Sequence, residues 1–177
     1  MGPPGDDVAA VQRRFYEHFL KDLFTRMTGR GIAYYGMFGN EDAAINYPCW
    51  KKLVDNSPLI FDSTQQWHEL DDGLWLRGCG YVPDFPYRIK DFALRDLPDV
   101  PRPVQREAPI RSGSEAMESI DDLEAYFQQR PTLLEKLERE LPPLPTSGRS
   151  ICAIHAPPVN TGLGTLPEAG EVGSYAV

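Results

Sequence analysis

At 177 residues the chain is long enough for one domain with a sizeable core. Its 41% apolar and 25% charged residues are those of an ordinary globular protein, which argues against a fibrous or disordered chain. The net charge of −8 argues against a uniformly basic face for nucleic acid, because neutralising phosphates needs clustered Lys and Arg.

The first predicted element is an amphipathic helix from about Asp7 to Thr28. Val8, Val11, Phe15, Phe19, Leu23 and Met27 form its apolar stripe, thickened by Leu20 and Phe24. Asp6 or Asp7 suits its start, and Gly29 or Gly31 its end. Residues 32–38 (IAYYGMF) then read as a buried strand, closed by Gly39-Asn40-Glu41-Asp42. A second helix follows from about Ala43 to Asp55. Helix, strand, loop and helix in that order predict an α/β arrangement with functional residues at the strand's C-terminal end.

Residues 59–61, 66–70 and 74–82 read as strands. Asp71-Asp72-Gly73 between the last two marks a hairpin. Residues 83–113 are Pro-rich and mixed in charge, and read as a long connection enclosing a short strand or turn. A helix is expected from Ser119 to Gln129, with Ser119 as N-cap and Asp122 three residues on. Pro131 opens another, running to about Leu141 with Leu133, Leu134, Leu137 and Leu141 inward. After a linker at 142–149, residues 150–154 (SICAI) read as a buried strand delivering His155. The tail from Ala156 is rich in Gly and Pro and carries no closing element.

Cys49, Cys79 and Cys152 are widely spaced and lack C-x-x-C spacing, so reduced, mostly buried thiols in a cytoplasmic protein are expected. No apolar run reaches the roughly 20 residues of a membrane helix. The opening MGPPGDD has no basic-then-apolar pattern of a secretory signal. His18 reads as a solvated helix residue, His68 as structural, and Asp71 and Asp72 as turn formers. Gly29-Arg30-Gly31 and Gly162-Leu163-Gly164 lack the strand–loop–helix context and the Lys of a phosphate loop.

Two places put polar groups just past predicted buried strands: Gly39-Asn40-Glu41-Asp42 and His155-Ala156-Pro157-Pro158. An amide oxygen, an imidazole and carboxylates suit a first-row metal such as manganese, iron or zinc. Two such ions can clamp a phosphoryl group. Read without that context, Asn40 is a turn residue and His155 a structural histidine.

The strand followed by GNED resembles the Gly-Asn-(His/Asp)-(Asp/Glu) block of calcineurin-like metallophosphoesterases. ICAIH followed by APPVNTGLG resembles that superfamily's isolated metal-ligand histidine. The resemblance runs from about Ile32 onward. It implies a partial metallophosphoesterase-type β-sandwich flanked by helices, a single incomplete domain over residues 1–177. It implies two divalent metal ions and a phosphate mono- or diester substrate. By position it makes Asn40 and His155 metal ligands. It sets Glu41 where the family has a general-acid histidine, and Asp42 where the family orients that histidine. The family's early D-x-H, its G-D-x-x-D and its closing G-H-x-H are missing, with only a faint echo of the G-D block at Gly5-Asp6-Asp7. Asn40 and His155 alone cannot hold two ions, since a catalytic site needs about three protein ligands per metal. The chain is therefore expected to be truncated, inactive alone, and prone to aggregate through open sheet edges. The rival readings are a non-catalytic remnant that binds a partner through its acidic, Pro-rich loops, and an unrelated α/β binding domain.

Overall fold

The computed structural model describes residues 8–64, 66–140, 148–166 and 170–177. Helix α1 (Val8–Phe15) continues through a π-helical turn (Tyr16–Leu20) into α2 (Lys21–Thr28). The predicted long helix is therefore present, and the later part of its expected stripe holds: Phe24 is buried, and Leu20, Leu23 and Met27 pack against the core, while the earlier part differs. Ala9, Tyr16 and Phe24 are buried, whereas Val11, Phe15 and Phe19 lie 44–53% exposed. The wide π turn adds a residue to the helical repeat and shifts the phase of the stripe. Phe15 and Phe19 stack on each other at 5.0 Å instead of entering the core. The expected caps Asp6 and Asp7, and the echo at Gly5-Asp6-Asp7, lie outside the described residues.

Strand β1 (Tyr34–Gly36) pairs in parallel with β2 (Ile60–Asp62). Between them come a 3₁₀ turn (Ala44–Asn46) and α3 (Tyr47–Asp55), as the helix expected from Ala43 required. Strand β3 (His68–Asp71) forms a hairpin with β4 (Leu74–Cys79), turning at Gly73, whose φ of +68° favours glycine. The far side of β4 pairs in parallel with β9 (Arg149–Ile154). Ser63 bridges the two sheets: its N–H reaches Gly36 O at 2.8 Å, and Gly78 N–H reaches Ser63 O at 2.7 Å.

The long connection holds more structure than its composition predicts. Strand β5 (Val82–Pro83) pairs with β6 (Ala93–Leu94), and β7 (Ile110–Ser112) with β8 (Met117–Ser119). Ser119 therefore belongs to a strand and caps nothing. The N-cap of α4 (Leu123–Gln128) is Asp122, which accepts from Ala125 N–H at 2.9 Å. Helix α5 (Leu133–Glu140) opens on a reciprocal capping box. Thr132 N–H donates to Glu135 at 2.7 Å, and Glu135 N–H donates to the Thr132 hydroxyl at 3.2 Å. Leu133 and Leu137 face inward as expected. Leu141 and the linker at 142–147 lie outside the described residues.

Two further expectations are corrected. Strand β9 is not buried: residues 149–152 are exposed, and among the described residues β9 is an edge strand paired only with β4. The tail does close on the body. Strands β10 (Thr165–Leu166) and β11 (Gly170–Glu171) form a hairpin, and buried Ser174 donates its hydroxyl to buried Asp96 at 2.5 Å.

The described residues thus make a mixed α/β structure whose strands lie in small sheets of two or three. One core is aromatic: Tyr16, Phe24, Phe38, Trp50, Ile60 and Phe92. The other joins Val82, Leu94, Leu133, Leu137 and Ala156. Among the described residues, no helix is long and apolar enough to cross a membrane.

Candidate functional site

The two polar loops predicted from sequence meet. Strand β1 runs into Phe38, which is anchored in the aromatic core against Trp50, Tyr47 and Phe92. That anchor delivers Gly39-Asn40-Glu41-Asp42 at the strand end. On the other side, β9 runs parallel to β4, and His155 N–H donates to Cys79 O at 2.9 Å. This brings the His155 ring to Asn40 from 115 residues away, with Nε2 2.7 Å from the Asn40 side-chain oxygen.

Glycines allow the approach. A Cβ on Gly39 would lie 2.9–3.2 Å from the His155 ring. One on Gly80 would lie 1.6 Å from Phe38 O, so only glycine lets the chain after β4 pass the strand end.

Asp42 organises the loop. One carboxylate oxygen accepts from Gly39 N–H at 2.8 Å and the other from the Tyr16 hydroxyl at 2.7 Å. Burial, then the nearby Asp42 charge, holds the Tyr16 phenol far above its ordinary range, so it stays a donor. Glu41 is exposed, and accepts from the Asn40 side-chain amide at 3.1 Å. Partial burial, then the negative charges of Glu107 and Asp42, raise its carboxyl above the usual range against the opposing pull of Lys90.

The next turn is capped from a distance. Ala43 N–H donates to Gln12 at 2.9 Å, Ala44 N–H to Asp91 at 2.8 Å and Ile45 N–H to Ser112 at 2.9 Å. Asp91 also accepts from the Ser112 N–H and hydroxyl, at 2.8 and 2.6 Å. Sequence reasoning missed Gln12, Asp91 and Ser112, since no local pattern signals a cap supplied by other segments.

Asn40, Glu41, Asp42 and His155 line one shallow cleft of about 340 Å³ together with Tyr34 and Tyr35. Two donors about 2.1 Å from one ion at the tetrahedral angle sit about 3.4 Å apart. The Asn40 and His155 atoms would need to part by about 0.7 Å to face such an ion, given that spacing. The donor count falls short, however. Among the described residues no group of three or more His, Cys, Asp and Glu is placed to hold a metal. The pair suits one side of a metal site and not a whole one, so no hydrolytic step follows from it. His18 and His68 do not join the cleft; His68 instead contacts Asp62 O at 2.8 Å. All three cysteines are free, and Cys152 is exposed rather than buried.

Comparison with protein-family models, with curated proteins and with solved structures finds no match.

Proposed function

We propose that this chain carries part of a metal-dependent phosphoesterase site, in a partial sandwich of the calcineurin-like type, with Asn40 and His155 contributing to one ion. The supporting observation is the 2.7 Å approach of these two side chains across 115 residues of chain. Each sits just past the C-terminal end of a parallel-paired strand, where α/β structures keep their sites. Divalent manganese, iron or zinc in such a site neutralises charge spreading over a phosphoryl group. Asn40 would offer its amide oxygen and His155 its unprotonated Nε2. Asp42 would hold the loop that presents Asn40. By its position in the resemblance, Glu41 would give a proton to the leaving oxygen of a phosphate mono- or diester. Further donors would come from outside the described residues. The three free cysteines suit a reducing, cytoplasmic setting.

A second reading is favoured by the short donor set among the described residues: a non-catalytic binding module in which the Asn40–His155 hydrogen bond merely clasps two strand ends.

Titrating Mn²⁺ into the chain, with calorimetric and paramagnetic NMR readouts, separates the two. The phosphoesterase reading expects saturable binding that broadens the His155 ring signals and disappears in Asn40→Ala and in His155→Ala. Binding that both variants leave intact, or no binding at all, would remove the metal role and leave the clasp.

A further inference from the structure

Beside the aromatic core lies a second pocket, of about 400 Å³, lined in part by Phe38, Tyr47, Tyr81 and Phe92. It also contains Arg77, from the middle of β4. The Arg77 residue is only 7% exposed, and its Nε and Nη1 are buried without a hydrogen-bond partner among the described residues. No carboxylate lies within ion-pair distance of it among those residues. Buried guanidinium nitrogens without a partner are costly and uncommon, because their N–H donors lose water and gain nothing. Buried cations are ordinarily paired. The other buried cation here obeys that rule: Lys90 is paired with Asp84 at 2.8 Å.

The rest of the pocket's chemistry points the same way. The Thr64 hydroxyl, which also lines the pocket, is buried and unpartnered. Lys136 adds a second cation. Its Nζ sits 4.4 Å above the Tyr81 ring and pairs with Glu140 at 2.5 Å. Among the described residues, Glu140 is the one carboxylate lining the pocket. Two cations against one carboxylate leave the pocket net positive within a chain of net charge −8. The Tyr47 hydroxyl already donates to Asp62 at 2.6 Å, so this ring offers its body rather than its oxygen.

We propose that this pocket binds a small oxyanion with an aromatic or apolar body, its carboxylate or phosphate held two-pronged by Arg77 and its body against Phe38, Tyr81 and Phe92. A guanidinium matches the two oxygens of such a group in one plane, which an ammonium cannot do. The Thr64 hydroxyl supplies a further donor, and Lys136 adds long-range attraction. Neither Asn40 nor His155 lines this pocket, and the binding needs no metal.

The test is calorimetric titration of the 177-residue chain in EDTA with benzoate, with phenyl phosphate and with inorganic phosphate. Saturable binding of at least one aromatic anion is expected, and the tighter of the two names the oxyanion class. Inorganic phosphate should bind at least tenfold more weakly, because it leaves the rings uncovered. Arg77→Met should weaken the aromatic anion tenfold or more without lowering the melting temperature of the free chain. Lys136→Met, on helix α5 and outside the sheet, should weaken it several-fold and serves if Arg77→Met does not fold. Asn40→Ala should leave this binding unchanged, which separates it from the metal reading. The proposal is overturned if neither aromatic anion binds, if inorganic phosphate binds as tightly as they do, if neither cation variant weakens binding, or if Asn40→Ala abolishes it.

Discussion

Lys90 and Asp84 form a buried ion pair at 2.8 Å, with their side chains only 1% and 2% exposed. Lys90 also donates to Phe85 O, and Gln105 and Arg102 approach the second oxygen of Asp84. The desolvation of both charges opposes their attraction: burial pushes the Asp84 carboxyl up and the Lys90 ammonium down. Breaking the pair from one side should therefore cost more than replacing it whole. Lys90→Met should lose about 3–5 kcal/mol, because it strands a buried carboxylate. Lys90→Met with Asp84→Leu should recover much of that loss. Urea unfolding of the two single variants and the double variant measures the coupling, and additive losses would contradict it.

The turn at residues 44–46 depends on Asp91, which caps Ala44 N–H and holds the Ser112 hydroxyl against Ile45 N–H. Asp91→Ala leaves the part-buried Ala44 N–H and the Ser112 N–H and hydroxyl without their acceptor, and frees the Ser112 hydroxyl that receives Ile45 N–H. A loss of about 1–3 kcal/mol is expected. Amide exchange at Ala44 and Ile45 should quicken before exchange in β4 does. Equal quickening everywhere would show that the cap is not local.

Gly39→Ala places a methyl group 2.9 Å from Nε2 of His155. The ring must move, since real contacts are not made at that distance. The expected cost is about 1–3 kcal/mol of overpacking. The His155 ring resonances should also lose the signature of the Asn40 hydrogen bond. Unchanged ring shifts would mean that the loop itself yields instead.

Glu41 provides a pH test with a defined sign. Its carboxyl is raised in the folded chain by partial burial and by Glu107 and Asp42, so the folded state binds its proton more readily than the unfolded state. Stability linked to this group therefore rises as pH falls, and levels off below the ordinary glutamate range. Glu41→Gln should melt higher than the parent near pH 7. The difference should shrink as pH is lowered toward 4. A gap that widens on acidification would reverse the assigned sign.

Much of the element order was legible in the sequence because its causes are local. Apolar residues at helical spacing marked the chain from Val8 to Thr28, and Asp72-Gly73 marked the hairpin of β3 and β4. Where reading failed, a non-local cause was at work. Around the π turn at Tyr16–Leu20, Tyr16 took the inward place expected of Phe15 and Phe19, while Leu20, Leu23, Phe24 and Met27 stayed on the core side. Apolar β9 read as buried, but it is an edge strand with residues 149–152 exposed, and a strand's place in a sheet is set by distant segments. Ser119 and Asp122 are both good caps in isolation. The pairing of β8 with β7 removed the first from contention.

The candidate site divides along the same line. The sequence by itself placed Asn40 and His155 each at the end of a predicted strand, because strand, glycine and polar loop are short-range patterns. Only the tertiary structure decided that their side chains meet, that Asp91 and Ser112 cap the turn beyond them, and that Nε and Nη1 of Arg77 are buried without a partner among the described residues. Such relations depend on the path of the chain between the residues. Local propensity carries no information about that path, because the contacts form between segments separated by 47 to 115 residues.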